Sequence, residues 1–92
     1  MKTDGTLIMQ PSGQWAIGVR GREPAAIVAG EVFLLEVRGE RRLMRVRMEQ
    51  REGQWYAVFS GSRAERRVEL RDGLRAGFFD QREWYAKVIN GS

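Results

Sequence analysis

Short runs of about four to eight residues, each rich in apolar side chains, recur along this 92-residue chain between turns that contain glycine, and this spacing limits the fold strongly. No long stretch keeps the 3.6-residue repeat of an amphipathic helix. The runs therefore predict β-strands, and the turn residues between them predict hairpins. The predicted strands are residues 6–9, 14–19, 31–37, 43–50, 54–59, 68–70 and 74–79.

Four other segments complete this interpretation. Residues 20–30 contain two glycines and a proline and predict a connection, within which 25–28 forms either a short strand or one helical turn. Residues 60–67 are polar and predict a surface loop. An Asp-Gly turn at 72–73 predicts that the last two strands form a hairpin. The tail from residue 80 is expected to be either a short helix or a further strand.

The expected architecture is one all-β domain, a small antiparallel barrel or roll that is SH3-like or OB-like in general shape. A chain of this length can bury one core but not two. The sequence Gly-Gln-Trp occurs at 13–15 and again at 53–55, each time leading into a strand. Such doubling is typical of a roll built from two similar meanders.

Missing residue types exclude several classes of chemistry. The chain has no cysteine, which excludes disulfides, thiolate nucleophiles and cysteine-ligated metals, and no histidine, the commonest metal ligand. Neither glycine-rich phosphate-binding pattern occurs. Four acids are candidates for hydrolysis or cation binding: Glu31, Glu36, Glu49 and Glu69. Nothing in the sequence places two of them together. We therefore expect no enzyme activity, no metal and no cofactor.

The longest apolar runs, at 25–29 and 55–59, cover only five residues each, whereas a membrane-spanning helix needs about 20 residues. The first five residues lack the apolar core of a signal peptide. The sequence therefore predicts a cytoplasmic protein that does not contact a membrane.

Arginine dominates the charge, with fourteen arginines and two lysines against twelve acids and a net charge of +4. Arginine recognises phosphate and carboxylate groups with its planar fork, but a GC-rich genome also favours arginine codons. Residues 38–51 carry six arginines and two glutamates, and so account for the whole net charge. The candidate nucleic-acid-binding residues are these six: Arg38, Arg41, Arg42, Arg45, Arg47 and Arg51.

Alternation along residues 43–50 places Arg45, Arg47 and Glu49 on one face of the strand. The two arginines are then ~7 Å apart, near the spacing of successive phosphates on one strand. Alternatively, this is an ordinary solvated face whose arginines pair with acids such as Glu36. A second basic cluster at 63–67 either extends the patch or belongs to a solvated loop. The opposite, apolar face holds Met44, Val46 and Met48.

The nine aromatic residues divide into predicted core and predicted surface. Four are expected to fill the core: Trp15, Phe33, Trp55 and Phe78. Five are expected at the surface: Tyr56, Phe59, Phe79, Trp84 and Tyr85. Exposed rings beside a basic groove can hold a nucleic-acid strand, and they can equally form an interface with a protein partner or a second copy of the chain.

Six motifs follow one another in order along the chain: Gly5-Thr6-Leu7, Gly13-Gln14-Trp15, residues 29–37, Val46-Arg47-Met48-Glu49, residues 53–56 and residues 70–76. In order and spacing they resemble a small bacterial domain family of unknown function, carried by plasmids, transposons and integrative elements. The departures are Val46, where the family has threonine, and an insertion at 61–67. The resemblance implies carriage on mobile DNA and a cytoplasmic location. It supplies no catalytic residue, and it makes Arg47 and Glu49 the polar pair of interest.

These observations predict a protein-interaction module of a mobile genetic element, which self-associates as a dimer or binds a protein partner through exposed aromatic residues and sheet edges. The alternative is an accessory protein that binds nucleic acid without sequence preference through the arginine-rich hairpin at 38–51.

Overall fold

The structure, a computed structural model, describes residues 3–60 and 65–78. This part of the chain is all-β, which confirms the predicted fold class. The eight strands are β1 (Thr3–Met9), β2 (Trp15–Gly18), β3 (Ala25–Ala26), β4 (Val32–Glu36), β5 (Leu43–Arg51), β6 (Gln54–Ser60), β7 (Glu65–Val68) and β8 (Arg75–Phe78). The predicted alternatives for the tail lie outside the described residues.

The strands form one antiparallel sheet in the order β3-β2-β1-β8-β4-β5-β6-β7. Two meanders build it, one from β1 to β3 and the other from β4 to β7, and β8 joins them by pairing with β1 on one side and β4 on the other. Within residues 3–60 and 65–78 the sheet is not closed, and its edge strands are β3 and β7. The predicted barrel or roll is thus an open roll.

The predicted hairpin between residues 68–70 and 74–79 is wrong, because β7 pairs with β6 whereas β8 lies on the far side of β4. Strand β7 also begins at Glu65, inside the segment predicted to be a loop. As an edge strand it buries little side-chain surface, so its polar composition hides its strand character. The short strand predicted within 25–28 is present as β3.

The Asp-Gly turn at 72–73 forms hydrogen bonds with β1 and does not close a hairpin. Gly73 has a φ of 91°, which suits glycine, and its N–H donates to the Leu7 carbonyl at 2.8 Å. The Leu7 N–H in turn donates to the Leu74 carbonyl at 2.7 Å. The Asp72 carboxylate accepts a hydrogen bond from the Met9 N–H at 2.7 Å. The chain entering β8 is therefore fixed along β1.

One apolar core lies on the concave side of the roll. Strand β5 confirms the predicted alternation, since Val46 and Met48 are fully buried while Arg45 is exposed. Trp15, Phe33 and Phe78 are buried as predicted, and Trp55 is half-buried and packs against the same core. The largest fully buried side chains are Phe33, Phe78, Leu7, Ile17, Ile27, Leu35, Met48 and Val46.

Candidate nucleic-acid interface

The six arginines predicted from residues 38–51 fall into two groups. Three are exposed at or beside the turn that joins β4 to β5: Arg38, Arg41 and Arg42. The other three, Arg45, Arg47 and Arg51, alternate along β5 on the face away from the core. The predicted patch is therefore divided between one end of the sheet and its outer face.

Arg47 lies between two carboxylates. Its Nε donates a short hydrogen bond to Glu49 on the same strand, and its Nη2 is 3.7 Å from Glu65 Oε1 on β7. The hydrogen bond and the charge of Glu49, with a smaller contribution from Glu65, raise the pKa of Arg47 above its ordinary value. Its charge is thus balanced locally, as the alternative interpretation of this face anticipates.

Glu36 is an acid that the sequence predicted to pair with these arginines, but in the structure its carboxylate binds a backbone N–H group. Its Oε1 accepts a hydrogen bond from the backbone N–H of Arg75 at 2.9 Å, which joins β4 to the start of β8. Glu31 acts similarly, since its Oε1 accepts from the Val28 N–H at 2.9 Å. Within residues 3–60 and 65–78, no three acidic side chains converge as they would around a metal ion.

The two aromatic residues of β6 that were predicted to be exposed are half-buried, and arginines of β7 cover them. The Arg67 guanidinium lies 4.0 Å from the centre of the Tyr56 ring, and that of Arg66 lies 5.5 Å from the centre of the Phe59 ring. Arg66 stands directly opposite Phe59 in the ladder, so the register creates this contact. Both are cation–π geometries.

Arg66 and Arg67 also line a groove of about 680 Å³ between the end of β4 and the chain from β7 to β8. Arg38 and Arg71 line it from two other segments, and Glu36 and Glu69 are the acids among its lining residues. Four arginines against two glutamates leave the groove positively charged. In the part of the chain that the structure describes, neither Arg38 nor Arg71 forms a salt bridge.

A second pocket of about 290 Å³ adjoins this groove, and Arg67 and Glu69 line both. Trp15, Trp55 and Tyr56 supply its aromatic wall. The two tryptophans come from the repeated Gly-Gln-Trp sequence, which the roll brings together from β2 and β6. A basic groove and an aromatic pocket therefore share two lining residues, an arrangement that can accept an anionic, aromatic ligand.

The sequence identified only part of this site. Arg38 was among the predicted residues, and Arg66 and Arg67 were noted as an extension of the patch, but Arg71 was missed. The residues Glu65–Val68 show no alternation of apolar and polar side chains, so no sequence signal identified β7. Three predicted interaction residues lie outside the described residues: Phe79, Trp84 and Tyr85.

No helix in the described part of the chain is long and apolar enough to cross a membrane. Comparison of the chain with protein-family models, with curated proteins and with solved structures gives no match.

Proposed function

We propose that this protein binds nucleic acid through the phosphate backbone, without sequence preference, and that the arginine-lined groove is the binding site. The observation that carries this proposal is the convergence of four arginines from three chain segments on one groove with only two acids. Arginine's planar fork matches the geometry of phosphate oxygens.

The groove is a better candidate than the outer face of β5. Arg47 on that face already contacts two carboxylates, so a phosphate would have to compete with both. Arg38 and Arg71 have no such competitor among the described residues. Arg41 and Arg42 lie just beyond Arg38 in the β4–β5 turn and can extend the basic surface.

The protein-interaction module predicted from the sequence remains a prediction. Tyr56 and Phe59 offer less apolar surface than expected, because each is half-buried beneath an arginine. Charged residues on an edge strand such as β7 also oppose pairing with another sheet. Carriage by a mobile element is a proposal that rests on the family resemblance alone. A cytoplasmic location is a proposal that rests on that resemblance and on the sequence features described above.

The test is a fluorescence-anisotropy titration of labelled oligonucleotides across a range of salt concentrations. Four phosphate contacts predict that log K falls with log salt with a slope between about −3 and −4. Substituting Arg38→Glu and Arg71→Glu together should weaken binding about tenfold or more and reduce the slope by about 2, since two contacts are lost.

Two other double variants serve as controls with the same net charge. Arg45→Glu with Arg47→Glu alters the outer face of β5, and Arg20→Glu with Arg22→Glu alters the β2–β3 connection. Each should weaken binding only through the change in overall charge, and hence less than the groove variant does. No binding at low salt, or an equal loss in all three variants, would rule out the groove as a nucleic-acid site.

A further inference from the structure

The aromatic pocket beside the groove has no part in backbone recognition as proposed above. Trp15 and Trp55 are largely committed to the core, but Tyr56 projects from β6 on the other face, beside Arg67 and Glu69. The pocket of about 290 Å³ is thus lined by three aromatic residues, by the apolar Leu70 and by the charged Arg67 and Glu69. Such a site suits a flat, uncharged ring that carries polar groups on its edge.

Arg67 connects this pocket to the groove. Its guanidinium stacks on Tyr56 at 4.0 Å, and Arg67 is also among the residues that line the groove where we place the phosphates. A nucleotide whose phosphate contacts Arg67 therefore has its base next to the aromatic wall. In single-strand-binding proteins a positively charged groove follows the backbone and aromatic side chains stack against the bases.

We propose, building on the proposed nucleic-acid binding, that this pocket takes up one unstacked base and that the protein consequently prefers single strands to duplexes. A base in a duplex is stacked on both sides and paired, so it cannot enter the pocket unless the duplex opens. A single strand can turn a base out at little cost. Since every base has an aromatic face, the preference is for strand type and not for sequence.

The experiment compares three labelled ligands about 12 nucleotides long, a length within the range that small β-barrels bind. They are a thymidine oligonucleotide, an abasic strand with the same phosphate backbone, and a duplex. The protein should bind the thymidine strand about tenfold more tightly than the abasic strand, the gain expected from one stacked base. The duplex should also bind more weakly than the thymidine strand once affinities are compared per phosphate.

Two substitutions at Tyr56 locate the effect. Tyr56→Leu removes the ring and should abolish most of the difference between the thymidine and abasic strands, while Tyr56→Phe keeps the ring and should preserve it. Intrinsic tryptophan fluorescence of the unaltered protein provides a second readout, because a base in the pocket lies beside Trp15 and Trp55. The thymidine strand should change this emission and the abasic strand should not.

The two proposals fail in different ways. If none of the three ligands binds, the proposed function is wrong. If the thymidine and abasic strands bind the unaltered protein equally well and neither changes the tryptophan emission, the groove binds backbone but the pocket accepts no base. That comparison needs no variant, so a folding defect in Tyr56→Leu would not obscure it.

Discussion

At Gly5, strand β1 approaches β2 so closely that no side chain fits between them. A Cβ added to this glycine would lie 2.2 Å from the Gly18 carbonyl oxygen, a backbone atom that cannot move away without shifting the strand. The same glycine opens the first of the six motifs that resemble the bacterial family. In this structure its role is steric, because the absence of a side chain lets the paired strands β1 and β2 lie in close contact at this position.

Replacing Gly5 by alanine should therefore destabilise the fold by about 2 kcal/mol or more, as overpacking in a filled site does. Urea denaturation measures the change. Gly18→Ala is the matched control, since a Cβ at Gly18 would meet Ile8 Cδ1 at 3.2 Å, the end of a flexible side chain. A smaller loss is expected there. Equal losses in the two variants would show that backbone crowding at Gly5 is not the cause.

Arg47 illustrates how nearby carboxylates can balance the charge of an arginine and so compete with an anionic ligand for it. Glu49, with a smaller contribution from Glu65, raises the pKa of Arg47 in the folded protein above its value in the unfolded chain. A group with a raised pKa contributes its stabilisation below the unfolded pKa and loses it only as the pH rises through the folded one. The difference in stability between the protein and Arg47→Met should therefore be the same at pH 7 and at pH 9. Urea denaturation at both values tests this, and a difference that shrinks at pH 9 would contradict it.

Among the elements, the β5–β6 hairpin closes through a strained two-residue turn. Glu52 and Gly53 have φ values of 53° and 80°, and the flanking Arg51 and Gln54 pair across the ladder. Positive φ at both central residues is typical of a type I′ turn, in which asparagine is preferred at the first position and glutamate is not.

Substituting Glu52→Asn should stabilise the protein by about 0.5–1 kcal/mol, because asparagine tolerates this conformation better. Glu52→Gln removes the same charge without that tolerance and should give little gain. Thermal unfolding of both variants distinguishes the two causes. A similar gain in both would mean that the charge, and not the backbone conformation, is responsible.

The Asp72 side chain accepts one of the hydrogen bonds that fix the connection into β8 along β1. Because the Asp72 carboxylate accepts a hydrogen bond from the Met9 N–H, Asp72→Ala should cost about 1 kcal/mol, a typical value for a hydrogen bond. Asp72→Asn retains an acceptor oxygen and should cost less. Urea denaturation of the two variants measures this, and an equal loss would assign the effect to the charge of Asp72.

At the scale of the whole molecule, strands that depend on local sequence patterns were predictable, whereas a strand pairing between residues far apart in the chain was not. The strands from residue 6 to residue 59 were predictable because alternation and turn residues act over a few positions. The place of β8 was not, because its pairing with β1 and β4 is between residues far apart in the chain. The Asp-Gly pair at 72–73 correctly predicted a change of chain direction, but it could not predict that the turn would form hydrogen bonds with β1.

The same contrast between local patterns and long-range contacts applies to the candidate site. Charge counting predicted that arginines form the candidate site, and Arg38, one of the six residues so predicted, lines the groove. Arg38 and Arg71 line one groove only because β8 lies beside β4, so no local pattern could bring them together. Conversely, β5 is rich in arginine, yet Arg47 is balanced by Glu49 on the same strand and, to a smaller extent, by Glu65 from β7, a strand that the sequence did not predict.

The most direct test of the groove is to observe its arginines while a ligand binds. In the protein labelled with nitrogen-15, the side-chain Nε–H signals of arginine can be followed by NMR during titration with a single-stranded oligonucleotide. The signals of the four groove arginines should shift together, while those of the β2–β3 connection stay unchanged. If the largest shifts instead occur on the outer face of β5, or are spread evenly over all arginines, the groove is not the binding site. The four residues predicted to respond are Arg38, Arg66, Arg67 and Arg71.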